Sequence, residues 1–298
     1  MITRRLLLSA PLAQAIAPQV FGAGAKMTLS MHQNSSLGAG YRKSLEGWSR
    51  AGIKNAELTS VLLDDFLKTD SLAAARRVVA DLGLKAVSCG AVRKLWEPSP
   101  DRLMALKELK MRCEQFSSFG IDRIVIPTLA ADKVTEDDYK RGVDNMREVG
   151  EIVKAYGMTA MVEFIRGTTF IATLPTALKL TREANHPNVR TMIDVYLFWS
   201  GLSRFEDLDQ LRRGEVMHIH WSDVPDMPRE LLDTTTRVIP GEGVAPLARI
   251  LHKLAEKGYS GPASVELFYP KYQQADPYEL ARQIRERAEP IMQKAAVL

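Results

Sequence analysis

The chain has 298 residues, 40 of them basic and 36 acidic, for a formal net charge of +4. That near balance, with no long basic run, implies no nucleic-acid partner. Hydrophobic residues at 46% and charged residues at 26% exclude a disordered or fibrous chain and fit a globular enzyme able to bury a core without disulfides.

Met1 to Arg5 reads as a short charged leader, followed by an apolar stretch from Leu6 to Ala17 that Pro11 interrupts. Ala13-Gln14-Ala15 and Ala23-Gly24-Ala25 are small-x-small cleavage candidates. The stretch is too short to span a bilayer, so residues 1–25 are expected to be a signal peptide, with no membrane anchoring after its removal. Thr3-Arg4-Arg5-Leu6-Leu7-Leu8 resembles a twin-arginine export signal, which points to the periplasm or beyond. The alternative is a leader on a cytoplasmic protein.

From residue 26 to 298 short β-rich runs alternate with longer stretches of helical spacing. The predicted strands are 27–33, 55–59, 86–90, 123–128, 159–165, 189–197, 216–223 and 263–268. Helices separate them. In 138–156, Val143, Met146, Val149, Val153 and Tyr156 recur at three- and four-residue steps; in 277–288, Leu280, Ile284 and Ala288 share a face. Gly83, Gly120, Gly157 and Gly258 each stand just before a predicted strand, where a helix C-cap glycine belongs. Strands alternating with helices argue for parallel β-α units, and eight of them for one closed (β/α)8 barrel, a TIM barrel, in a single domain. No linker divides the chain. The stretch 223–244 lacks clear periodicity and follows the seventh strand, so it is expected on the functional face. Cys89 and Cys113 have no metal-knuckle spacing and read as buried thiols.

Four predicted strands carry a polar residue among apolar neighbours near the C-terminal end: Met161-Val162-Glu163-Phe164, Met192-Ile193-Asp194-Val195, His218-Ile219-His220-Trp221 and Ser264-Val265-Glu266-Leu267. A lone buried charge is costly, and three carboxylates beside an imidazole would repel without a cation among them. One divalent ion held by Glu163, Asp194, His220 and Glu266 at the barrel mouth removes the conflict. Three oxygens and one nitrogen suit a fairly hard cation, manganese first, with magnesium, cobalt, iron(II) or zinc also compatible. His218 shares the inward parity of His220 one layer deeper and reads as a hydrogen-bonded core histidine; His186 and His252 are given no role.

These segments resemble the xylose-isomerase-like barrel superfamily, the sugar phosphate isomerase/epimerase group. The runs that carry the likeness are Asp194-Val-Tyr-Leu-Phe-Trp-Ser-Gly201, His218-Ile-His-Trp-Ser-Asp223, Arg237-Val-Ile-Pro-Gly-Glu-Gly-Val244 and Gly258-Tyr-Ser-Gly-Pro-Ala-Ser-Val-Glu266. The resemblance implies the same four metal ligands, with Glu163 and Glu266 as general base and acid on either side of a keto-sugar. The ion would stabilise the enediolate formed by proton loss next to a carbonyl. It also implies that His32, Asp223 and Arg237 contact substrate. Barrels of this group are often dimers or tetramers, so a homo-oligomer is allowed. One departure stands out. Leu197 and Ser200 occupy places where many members carry a histidine and an arginine, and Phe198 and Trp199 lie beside them. An apolar wall there suits a bulkier substrate, such as a glycoside.

Isomerisation or epimerisation of a sugar or keto-sugar is therefore expected. The alternative is a lyase of the same group, inosose-dehydratase-like or keto-glycoside-cleaving. A non-catalytic sugar-binding barrel is a second alternative. The endonuclease IV family shares the barrel, but it needs extra histidines on strands two, three and six, and Val87-Ser88-Cys89-Gly90 and Leu197 do not supply them.

Overall fold

A computed structural model of the chain describes residues 26–130 and 132–298. The expected signal peptide lies outside the described residues. Eight strands run in chain order: β1 (Met27–His32), β2 (Asn55–Thr59), β3 (Lys85–Gly90), β4 (Arg123–Pro127), β5 (Thr159–Glu163), β6 (Val189–Asp194), β7 (Val216–Trp221) and β8 (Gly261–Val265). All pair in parallel and β1 closes on β8, so the eight form one barrel with helices outside. No described helix is long and apolar enough to cross a membrane.

The helices form where the sequence places stop and start signals. Glu136–Lys154 begins at a capping box between Thr135 and Asp138, and buries Val143, Met146, Val149 and Val153 against the strands. Pro277–Lys294 starts at the Asp276 cap with proline in its first turn, and runs past the expected end at residue 288. Gly83, Gly120, Gly157 and Gly258 all have positive φ, between 63° and 88°, as helix-ending glycines require. Cys89 and Cys113 are buried free thiols.

The strands sort their side chains by parity. On β5, β6, β7 and β8, Val162, Ile193, Ile219 and Val265 face the helices and join the main core. Their neighbours point inside, where Val125, Met161 and Met192 pack together with Met217. Two bulges adjust this pattern. Thr191 pairs with Val216 but Met192 pairs with His218, so Met217 is an extra residue on β7. Likewise Ala56 pairs with Ala86 but Glu57 with Ser88, leaving Val87 extra on β3. Bulges re-aim side chains beside functional sites.

The sixth strand ends earlier than its apolar run. Residues 195–197 were expected to extend the sixth strand. Instead Val195–Ser200 is a helix, capped by the Asp194 carboxylate, whose Oδ1 accepts the Leu197 N–H at 3.0 Å. An apolar run suits a buried helix as well as a strand, and the cap decides between them.

Candidate functional site

Glu163 ends β5, Asp194 ends β6, His220 lies on β7, and Glu266 directly follows β8. The barrel brings these four together: one ligand atom from each lies within 4.8 Å of the others, and all four residues are buried. Glu163, His220 and Glu266 line a cleft of about 980 Å³ together with His32, Leu197, Arg237 and Phe268, and Asp194 lies buried behind them.

His220 is the hub. Its Nδ1 faces Glu266 Oε2 at 3.2 Å, Glu163 Oε1 at 3.4 Å and Asp194 Oδ2 at 4.0 Å. Nδ1 has no hydrogen-bond partner. On the other side of the ring, Nε2 lies 3.0 Å from Glu57 Oε2, and that same oxygen is 2.7 Å from His218 Nε2. Glu57 is completely buried. Burial alone would push its carboxyl up, but the imidazoles of His220, His218 and His32 outweigh that and hold it well below the usual range. It is therefore a carboxylate, and it accepts from both rings. The His218 expectation holds: it is a hydrogen-bonded core histidine one layer below His220.

The two glutamates expected to move protons lie in opposed environments. Burial pushes Glu163 up; the attraction of His220 opposes this, while Glu266 and Asp194 reinforce it, and the net shift is upward. Glu266 is also desolvated, but His220, His32 and Arg237 drive it well below the ordinary value. One group thus keeps a proton readily and its partner stays ionised, the arrangement that acid–base pairs use.

Three residues were expected to touch substrate. His32 does line the cleft: its Nδ1 accepts the Asn34 N–H at 3.0 Å, so the ring proton sits on Nε2, 3.6 Å from Glu266 Oε1. Burial lowers its pKa, against the pull of Glu266 and Glu57, which keeps the ring a neutral donor. Arg237 reaches the cluster itself. Its Nη1 donates to Asp194 Oδ2 at 2.5 Å and to Glu266 Oε2 at 3.2 Å, and the guanidinium lies 4.9 Å from the Tyr196 ring centroid and 5.1 Å from that of Phe268.

The carboxylate of Asp223, the third of these residues, meets backbone groups of its own loop. It does not line the cleft. Its Oδ1 accepts the N–H groups of Val224 and Ala245, its Oδ2 accepts that of Gly241, and its backbone pairs with Val238. Its carboxylate is used up in folding the loop that carries Arg237. Removing those three bonds with Asp223→Ala is expected to lower kcat/KM by loosening Arg237 while leaving divalent-ion affinity within about threefold of the parent. Kinetics and chelator competition on the same preparation check this.

The apolar wall is also narrower than expected. Leu197 lines the cleft, but Phe198 is buried in the outer core and Ser200 donates to the Tyr196 carbonyl. More apolar surface lies across the mouth, on the side of β2 to β4. There Val61, Met104, Met111 and Leu129 line the cleft with exposures of 61%, 71%, 42% and 45%.

Two neighbours escaped the sequence reading. Glu57 carries the same signal as the four that were found, a lone carboxylate between Ala56 and Leu58 on a strand. Asn34 carries none; it follows β1 and donates to Glu266 Oε1 at 3.2 Å.

The donor set fits a divalent cation. Three buried carboxylates around an imidazole nitrogen call for positive charge among them, which a proton on that nitrogen supplies in part and a divalent cation would supply in full. Arg237 supplies part of that charge, in direct contact with Asp194 and Glu266 and through space to Glu163. The group His32, Glu57 and His220 is also close enough to hold an ion, but its shared Glu57 oxygen already accepts from two rings.

The family of xylose isomerase-like TIM barrels matches residues 49–292. Inosose isomerase of Halalkalibacterium halodurans is 29% identical over 192 residues, covering 63% of this chain and 68% of that protein. The 3-dehydroshikimate dehydratase of Pseudomonas putida is 23% identical over 238 residues, covering 78% of this chain but only 37% of its own length. The zinc-bound crystal structure of the IolI protein superposes with a TM-score of 0.84 at 24% identity, over 90% of this chain and 99% of that one, a likeness of fold.

Proposed function

The chain belongs to the xylose isomerase-like TIM barrel family, and we propose that it is a divalent-metal-dependent isomerase or epimerase of a sugar, keto-sugar or cyclic polyol ketone. The observation that carries this reading is the unpartnered Nδ1 of buried His220, turned toward Glu163, Asp194 and Glu266. Those four side chains would hold the ion, manganese first and magnesium, cobalt, iron(II) or zinc as substitutes. Bound there, it supplies Lewis acidity at adjacent carbonyl and hydroxyl oxygens of the substrate.

The chain's own residues do the rest. Glu266, held ionised, takes the proton from the carbon next to the carbonyl. Glu163, whose carboxyl is raised, returns a proton to the resulting enediolate. Return to the same carbon from the opposite face epimerises; return to the former carbonyl carbon, with the proton of the neighbouring hydroxyl passing to the former carbonyl oxygen, isomerises. Arg237 and the Nε2–H of His32 orient the oxygens. Incubation of the metal-loaded protein with keto-sugars and inososes in deuterium oxide tests this: solvent deuterium is expected at the carbon beside the carbonyl. Absence of exchange across the panel, with metal bound, counts against it.

A second reading, a lyase acting through the same proton abstraction, is favoured by the apolar half of the mouth. Val61, Met104, Met111, Leu129 and Leu197 suit a substrate with an apolar group beyond the sugar. The expected export signal, which favours a substrate found outside the cytoplasm, supports it too. Then Glu163 would protonate a departing hydroxyl or aglycone. Loss of water or aglycone from a 3-keto-glycoside during the same incubation would select this reading.

Metal uptake is expected to release protons and to tighten as pH rises. Burial opposes a charged His220, but Glu57 and Glu266 outweigh it and raise the ring's pKa well above the ordinary value. The metal-free ring is thus protonated at neutral pH, and the ion must displace the Nδ1 proton. Apparent affinity should weaken by up to about tenfold per unit fall in pH. Titration calorimetry in buffers of different ionisation heats checks this; a binding heat that does not change with buffer would contradict it.

A further inference from the structure

We propose that Glu57, pinned by His218, is the positioning residue that fixes which nitrogen of His220 is free for a metal ion. This inference rests on the metal-centred reading above.

An imidazole presents two nitrogens, and a neutral ring carries its proton on one of them. Nothing on the ring itself chooses. Here Glu57 Oε2 lies 3.0 Å from His220 Nε2, so a proton is held there, and Nδ1 is the nitrogen that gives up its proton to an arriving ion. Nδ1 is the atom that faces Glu163, Asp194 and Glu266. If the proton sat on Nδ1 instead, the lone pair of Nε2 would face the Glu57 carboxylate, two acceptors in contact with no donor between them. Glu57 would in turn swing without a second anchor. His218 provides it, donating from Nε2 to the same oxygen at 2.7 Å. The two rings stand nearly perpendicular, with centroids 5.4 Å apart and an interplanar angle of 85°, so one oxygen can accept from both.

Each part has a local cause. The bulge at Val87 falls beside Glu57 on the neighbouring strand, and the bulge at Met217 immediately precedes His218. Between them they set the pleat so that a side chain from β2 meets two from β7 across the barrel. Glu57 Oε1 has no hydrogen bond, and His32 Nε2 lies 3.9 Å from it. The carboxylate is therefore directed at the histidine pair and takes no other partner. Carboxylates in this place, behind a metal-binding histidine, hold the ring and make it a better donor.

The test uses the full chain, zinc as a diamagnetic probe, and Glu57→Gln, which keeps the shape but removes the charge. Zinc affinity, measured by chelator competition, is expected to fall by about 10–100-fold in E57Q. Nitrogen-15 NMR of zinc-loaded wild type is expected to show the His220 proton on Nε2 and the metal on Nδ1. E57Q binding zinc within about twofold of wild type overturns the inference, as does ligation through Nε2 in wild type, whether or not E57Q folds. A wild type that takes up no divalent ion overturns the metal-centred reading as well, so the two failures are distinct.

Discussion

Glu163→Gln is expected to lower turnover by about 10²–10⁴-fold while most of the fold survives. The substitution is isosteric and leaves the barrel core untouched, but it removes a carboxyl that burial pushes upward. In the metal-free protein that carboxyl keeps its proton to a higher pH than an ordinary glutamate, and a divalent ion bound beside it would favour the charged form. Glu163 is also one of the four residues proposed to hold the ion, so metal content must be measured alongside. A variant that keeps its metal and loses turnover identifies a proton-transfer role; one that keeps both rejects the assignment. Glu266→Gln should lose solvent exchange to a similar degree, by removing the ionised partner.

Arg237→Met should have the largest effect on stability. The guanidinium is almost wholly buried, with Asp194 and Glu266 as its charged partners. Removing it leaves those carboxylates without that compensation, and breaking a buried ion pair from one side costs about 3–5 kcal/mol. Methionine fills the space of the stem, so a cavity contributes little. The loss should be greatest without metal and should shrink when a divalent ion takes over the missing positive charge. Denaturant unfolding with chelator and with zinc or manganese measures both. Equal destabilisation under the two conditions would show that Arg237 acts through packing against Tyr196 and Phe268 and not through charge.

The barrel was legible in the sequence because period-two runs and glycine stops recur with little interference. Strand starts came out within a few residues; the strand ends ran long. Apolar residues continue past the last ladder bond at Ile165, Val195 and Leu267, and hydrophobicity alone does not report where pairing stops. The Asp194 cap turned one such run into a helix. Glu163, Asp194, His220 and Glu266 were readable because a charge in an apolar strand stands out, and the structure brings all four together. Glu57 meets the same criterion, but it stands on β2, outside the run of consecutive strands β5 to β8 that marks the other four. Asp223 is harder to read. An acidic residue in a proline- and glycine-rich loop looks the same whether it meets a ligand or its own backbone, and only its three N–H partners decide. Asn34 had no signal, since its use depends on a turn that brings β1 beside Glu266.

The mouth of the barrel is divided. The four proposed ligands come from β5 to β8, while Val61, Met104, Met111 and Leu129 stand on the segments that follow β2, β3 and β4. These are separate stretches of chain, and none of the four apolar residues contributes to the buried cluster. Inheritance can therefore act on them independently. Drift along the apolar arc can exchange one guest for another, generation after generation, without disturbing the reactive floor. The same separation suits a designer: a combinatorial library confined to those four codons would explore new specificities while the chemistry stays fixed.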